Sequence, residues 1–209
     1  MFTGLVSDVG RVLSASAGDK LRRFRIESVY DAAGIALGAS IACSGPCLTV
    51  VHRGARDGGS WFDVDVAAET LARTTAAGWR EGTRLNLERS LKIGDELGGH
   101  IVTGHVDGAV EIVSREEVTG GGEWAPTARF VMRAPGNLMR FIAEKGSVTL
   151  DGTSLTVNSV ERDTFSVLLI PHTLAVTTWG ERRAGDRMNL EVDLMARYAA
   201  RLVEAGQGR

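Results

Sequence analysis

The chain has 209 residues, with 44% hydrophobic and 24% charged side chains, an ordinary globular composition. A formal net charge of -2 supplies neither the basic stripe that nucleic acid requires nor a cationic face for an anionic membrane, so neither is expected as a partner. Met1-Phe2-Thr3-Gly4 lacks the basic-then-apolar pattern of a leader, no run approaches a membrane span, and Cys43 and Cys47 are too few for a disulfide framework; a cytoplasmic protein is the expectation.

Taken in chain order, the local patterns favour strands. Arg22 to Ser28 alternates with period two, Cys47 to Val51 is a short β-rich run, and Trp61 to Val66 alternates again. Ser44-Gly45 and Asp151-Gly152 read as hairpin turns, because glycine supplies the positive φ such turns need. Glu69 to Thr75, Leu138 to Glu144 and Thr173 to Thr178 are candidate short helices. The clearest helix is the tail, where Leu194, Tyr198 and Leu202, with Val203 beside them, form a narrow apolar stripe for the chain's own barrels or a neighbour to cover. Gly98-Gly99 and Gly120-Gly121-Gly122 lack the strand-turn-helix setting of a phosphate loop, and the second run reads as a hairpin tip.

Three blocks of sequence recur in the same order. Thr3-Gly4-Leu5-Val6 returns as Thr103-Gly104-His105-Val106, and SIACSGPCLTV (Ser40 to Val50) returns as SVTLDGTSLTV (Ser147 to Val157). Phe62 to Leu91 aligns without a gap on Phe165 to Leu194, with fourteen of the thirty positions identical, including Asn86-Leu87-Glu88. Shared strand propensity would repeat residue classes, not the same glycines, asparagine and glutamate in register. The expected organisation is all-β: two tandem six-stranded, Greek-key-like barrels with short helices, at 1–98 and 99–192, and a C-terminal helix at 193–209.

If both copies hold one kind of ligand, positions touching its common part stay alike while reactive positions diverge. Gly4 and Gly104, Thr49 and Thr156, and Thr70 and Thr173 are kept. Leu5 faces His105, Cys47 faces Ser154, Glu69 faces His172, and Ser90 faces Asp193. Such asymmetry suits a reaction between two bound copies of one molecule, where one is donor and the other acceptor. Plainer readings stand beside this: Cys47 as a small buried hydrophobe, His105 as a surface histidine. His100 and His105, if both in a strand, point to opposite faces, and without a cysteine pair or carboxylate cluster no metal is expected.

The motifs MFTGLV, GPCLTV, AETL, NLERSL, GGHIVTGHVDG, KGSVTLDGTSLTVN, LIPHTL and GDRMNLEVDLMARY resemble riboflavin synthase of the two-barrel, alpha-chain type, from Met1 to about Tyr198. Arg115 to Ala128 has no counterpart, and Pro46 before the cysteine and Asp57-Gly58-Gly59-Ser60 depart from the family pattern. The resemblance implies dismutation of two 6,7-dimethyl-8-ribityllumazine molecules to riboflavin and 5-amino-6-(D-ribitylamino)uracil, without a cofactor, in a homotrimer whose sites lie between the first barrel of one chain and the second of the next. It leaves association with lumazine synthase open. It also implies catalytic roles for Cys47, His105, Ser154, Asp193 and Phe2. Substrate contacts are implied at Gly4, Leu5, Val6, Leu48, Thr49, Asp65, Ala68, Glu69, Thr70, Gly104, Val106, Lys145, Leu155, Thr156, Ile170, Pro171, His172 and Thr173. Two other classes stay open at this point: a non-catalytic lumazine or flavin binder of the same fold, and a barrel-type flavin reductase, which would need a nucleotide-binding domain this length does not accommodate.

Overall fold

The computed structural model describes residues 1–118 and 127–207, so the expected hairpin tip at Gly120 to Gly122 lies outside the described residues. Six strands form the first closed barrel: β1 (Asp8–Ala15), β2 (Leu21–Ser28), β3 (Ser40–Cys43), β4 (Cys47–Arg56), β5 (Gly59–Ala67) and β6 (Arg84–Arg89), in the order β1-β2-β5-β4-β3-β6. The second uses β7 (Gly108–Val118), β8 (Thr127–Arg133), β9 (Ser147–Leu150), β10 (Thr153–Val160), β11 (Thr164–Leu169) and β12 (Arg187–Val192). Its neighbour relations repeat those of the first barrel, strand for strand.

Closure follows from alternation. Phe62, Val64 and Val66 of β5 and Phe165, Val167 and Leu169 of β11 turn inward and are fully buried or nearly so. Phe24 lies opposite Val64, and Phe130 opposite Val167, at equivalent places in the two cores. Each receives an edge-on tryptophan, Trp79 at 5.3 Å and Trp179 at 4.8 Å between centroids. Trp179 aligns with Ala76 rather than Trp79, so the same lid comes from a position one 3₁₀ turn earlier.

The hairpins form as the turn residues require. Asp151 and Gly152 take φ of 44° and 79° between β9 and β10, while Ser44 and Gly45 take 47° and 112° before Pro46. Helix α1 (Ala68–Arg73) precedes a 3₁₀ turn at Thr75–Gly78, and α3 (Pro171–Val176), between which and α1 comes α2 (Gly136–Met139), precedes another at Thr178–Glu181. The middle helix is shorter and earlier than the expected Leu138 to Glu144. Finally, α4 (Leu194–Gln207) carries the tail stripe, and Tyr198, Leu202 and Val203 are all more than half exposed, so the chain's own barrels do not cover them. No helix among the described residues is long and apolar enough to cross a membrane.

The barrels meet around a pseudo-two-fold joint. Phe2 and Val102 exchange backbone hydrogen bonds at 2.7 and 3.1 Å. Asn86 donates to the Asp151 carbonyl at 2.9 Å and accepts from the Thr178 N–H at 2.8 Å; Asn189 donates to the Ser44 carbonyl at 2.6 Å and accepts from the Thr75 N–H at 2.7 Å. The strand envisaged around His100 and His105 does not form. That segment is a crossing between barrels with one isolated bridge, because the Thr103 and Gly104 N–H groups go to the Glu191 carboxylate and those of His100 and Val102 to the Thr3 and Phe2 carbonyls, not to a barrel strand.

Candidate active site

Two buried glutamates position the site. Glu88 of β6 accepts from the Thr3 N–H at 2.6 Å, the Thr3 hydroxyl at 2.8 Å and the Gly4 N–H at 2.9 Å. Glu191 of β12 repeats the pattern with Thr103 and Gly104 at 2.8, 2.7 and 2.9 Å. Burial pushes the Glu88 carboxyl up, and the donated hydrogen bonds oppose that shift. Each segment thus hooked to its own barrel then crosses to the other: the Gly4 carbonyl accepts from the Ser154 N–H at 2.8 Å, and that of Gly104 from the Cys47 N–H at 2.9 Å. Only glycine fits. Both take φ near +75°, and a Cβ there would stand 2.5 Å from the Cβ of Ser154 or of Cys47. Phe2, fully buried, packs with Ala42 and Val102 against Cys47, so it is a wall behind that thiol.

The first half-site is a cavity of about 400 Å³. Cys47, Glu69, Thr70 and Arg73 of the first barrel line one side, and Gly104, His105, Val106 and Asp107 of the second segment line the other. Arg197 from α4 closes it with a two-pronged grip on Asp107 at 2.7 and 2.9 Å, and Arg73 holds Glu69 at 2.7 Å. Thr49 shares the outward face of Cys47 and is exposed, whereas Leu48 turns into the core; its side chain is withdrawn from the site and only its backbone is available. Ala68, at the start of α1, is exposed. Asp65 is taken by Arg23 through two hydrogen bonds of 2.7 Å, which hold its carboxyl below the ordinary range.

The second half-site gathers different chemistry. Ser154 shares a 2.7 Å hydrogen bond with Nδ1 of His100, whose Nε2 is 3.1 Å from the buried hydroxyl of Thr149. Burial pushes this imidazole below its ordinary value, against the nearby charges of Asp193 and Glu191. Asp193 itself caps α4 by accepting from the Met195 N–H at 2.8 Å. Thr156 is exposed beside Ser154, Leu155 leans into the core, and Ile170, Pro171, His172 and Thr173 run along the end of β11 and the first turn of α3. Leu5, half exposed, and Val6 follow Gly4 over this barrel. Lys145, in left-handed backbone at φ 63°, is exposed in the loop before β9 and is not among the residues around either cluster.

His105 and Ser154, both read as proton-handling candidates, therefore sit in different half-sites. Sequence reasoning set His100 aside as half of an unpromising metal pair, and missed Thr149 and the two glutamates. A signal existed: Glu88 and Glu191 lie in the kept block, and Ala42 stands where the second half has Thr149. No group of three or more histidine, cysteine or acidic side chains is placed to hold a metal among the described residues.

Two tandem barrels with such half-sites define a class. The family described as "Lumazine binding domain" matches residues 3–90 and again 103–193. A riboflavin synthase of Brucella abortus is 53% identical over 98% of both chains, and one of Mycobacterium bovis 44% identical over 98% of this chain and 99% of its own. The fold also matches the crystal structure of LumP complexed with 6,7-dimethyl-8-(1'-D-ribityl) lumazine, with a TM-score of 0.75 and 20% identity, covering 92% of this chain and 99% of that one. The chain belongs to the riboflavin synthase family, and it is an enzyme.

Proposed function

We propose that the two half-sites carry out the dismutation of 6,7-dimethyl-8-ribityllumazine, one molecule passing a four-carbon unit to another. The observation that carries this is the pair of equivalent scaffolds, identical in their glutamate hooks and glycine crossings, with unlike reactive groups at the crossing points. The two products together contain the atoms of the two substrates, so the exchange needs no external oxidant, and no cofactor is invoked.

The electron-poor ring acidifies its 7-methyl group, and a base of near-neutral pKa removes that proton to leave an exocyclic methylene anion. Holding the two rings face to face supplies much of the remaining acceleration. In the second half-site His100, with Nε2–H donating to Thr149, leaves Nδ1 to accept from the Ser154 hydroxyl, which then accepts or returns a substrate proton. Asp193 stabilises that imidazole when it charges. In the first half-site Cys47 adds to the acceptor ring or orients water onto it, with His105 moving the proton. Thr49 and Thr156 hydrogen-bond the pyrimidine edge of each ring. The backbone at Gly4 to Val6 and at Gly104 to Val106 flanks the rings, and Glu69, Thr70, His172 and Thr173 receive the ribityl chains. Neutral lumazine binding without conversion, as in a pure carrier, would not need this asymmetry.

Within one chain the two half-sites are built at different crossing points, Cys47 against Gly104 in one and Ser154 against Gly4 in the other. The reading is therefore a cytoplasmic homotrimer in which lumazine-binding barrels 1–98 of one chain and 99–192 of the next face each other, with helix 193–209 as the oligomerising element. The uncovered stripe of Tyr198, Leu202 and Val203 supports that role. The test is to give purified protein the lumazine alone, without metal or nicotinamide. Riboflavin should appear with two lumazines consumed for each one formed; a one-to-one ratio, or dependence on an added cofactor, overturns the reading.

A further inference from the structure

On the far side of the Ser44–Gly45–Pro46 turn from the lumazine cavity lies a second crevice between the barrels, of about 370 Å³. Arg84 and Arg187, the first residues of β6 and β12, stand at equivalent repeat positions and both line it, as do the equivalent Thr75 and Thr178. Equivalence ends there. Arg84 is paired with Glu181, and Arg182 donates to Asp151 at 2.7 Å, but Arg187 has no carboxylate partner among the described residues. Gly78 stands where Glu181 would have its counterpart, so the first repeat offers Arg187 no acid.

The hydroxyls differ in the same way. Asn189 Nδ2 donates both to the Ser44 carbonyl and, at 3.0 Å, to the Thr75 hydroxyl, whereas Asn86 Nδ2 reaches only the Asp151 carbonyl, and Thr178 Oγ1 has no partner among the described residues. Thr178 is only 2% exposed, and Arg182 Nε is likewise buried and unpartnered. They are two of the four buried side-chain polar atoms left without a protein partner among the described residues, and both residues line this crevice beside the unpaired Arg187. An acceptor in the crevice would satisfy both.

We propose that this crevice binds a phosphoryl group, with Arg187 and Arg182 supplying charge and Thr178 donating its hydroxyl proton. Donors from both ends of one 3₁₀ turn, Thr178 and Arg182, and from the start of β12, Arg187, suit a tetrahedral oxyanion better than a planar carboxylate, and guanidinium forks match phosphate oxygens. The volume exceeds a bare phosphate and falls in the range of small-molecule sites, and Trp79 adds an apolar wall, so a phosphate monoester fits as well as the free ion.

The test is calorimetric titration of the full chain with ribose 5-phosphate, inorganic phosphate and ribose at constant ionic strength. Saturable binding of at least one phosphate compound, none of ribose, and at least tenfold weaker binding in Arg187→Gln are expected, with lumazine turnover in that variant within twofold of the parent. Thr178→Val, checked for an unchanged unfolding midpoint, should weaken binding similarly. A tighter ester identifies the ester as the ligand, and equal or tighter phosphate identifies the free ion. No saturable binding of either compound, or unchanged affinity in Arg187→Gln, overturns the proposal whatever Thr178→Val does.

Discussion

The two half-sites share a frame and differ in what the frame holds. In each, a glutamate from the last strand grips a Thr-Gly pair, and the glycine crosses to cap the other barrel. In the first barrel that cap meets a thiol with Ala42 behind it, and in the second a hydroxyl tied to His100 and Thr149. The frame is thus made of groups that both repeats keep, buried carboxylate, positive-φ glycine and crossing asparagine. The unlike groups, Cys47 and Ser154, stand at the glycine crossings of β4 and β10.

The largest expected effect comes from breaking the shared frame. Gly104→Ala forces a Cβ to within 2.5 Å of Cys47 at a φ of 75°, and should cost about 2–4 kcal/mol of stability as well as the first half-site. Chemical denaturation and lumazine titration check both; Gly4→Ala should do the same to the second. Next comes the chemistry of the second half alone. His100→Ala should lower turnover by at least about tenfold while lumazine affinity holds, and should remove an acid limb lying below the ordinary imidazole value of 6.5 in the pH profile. Equal losses in rate and affinity would make His100 a binding residue. Cys47→Ser makes the halves more alike, and single-turnover rates should fall by about tenfold or more with binding kept.

The smallest effect is a pH difference between the barrels. Burial pushes the Asp151 carboxyl up to about 6 from 3.8, while its counterpart Ser44 carries no charge. The folded chain therefore holds a proton between those values that the unfolded chain has released, so this group's contribution to stability falls as pH rises through that window and is flat above it. Asp151→Asn should gain on the parent between pH 4 and pH 7, as read by unfolding midpoints. A constant gap would assign Asp151 an unshifted carboxyl.

The duplication, the strand runs, the turns at Ser44-Gly45 and Asp151-Gly152 and the tail helix were all legible from periodicity and turn chemistry. So was the pairing of Cys47 with Ser154, because position in a repeat is a sequence property. His100 was not, because its partners Ser154 and Thr149 are brought to it by a backbone crossing no local pattern encodes. The same holds for Leu48 and Asp65. The family resemblance implies ligand contacts for both, but strand alternation turns Leu48 inward and a cross-strand arginine engages Asp65. Trp79 and Trp179 show the limit from the other side: a gapless alignment separates two residues that fill one structural role.

The central claim is that two unlike half-sites act together on a pair of lumazines, one from each of two chains. Thr49→Trp and Thr156→Trp fill the outward faces of the first and second half-sites at exposed positions, so each variant should fold, assemble and lose most of its turnover. The decisive measurement is riboflavin formation by the two variants co-expressed in one cell and purified as mixed assemblies. Activity well above the average of the two alone is predicted, because some interfaces then join an intact first barrel to an intact second barrel. Activity no greater than that average would contradict the claim, placing both halves of the working site within one chain.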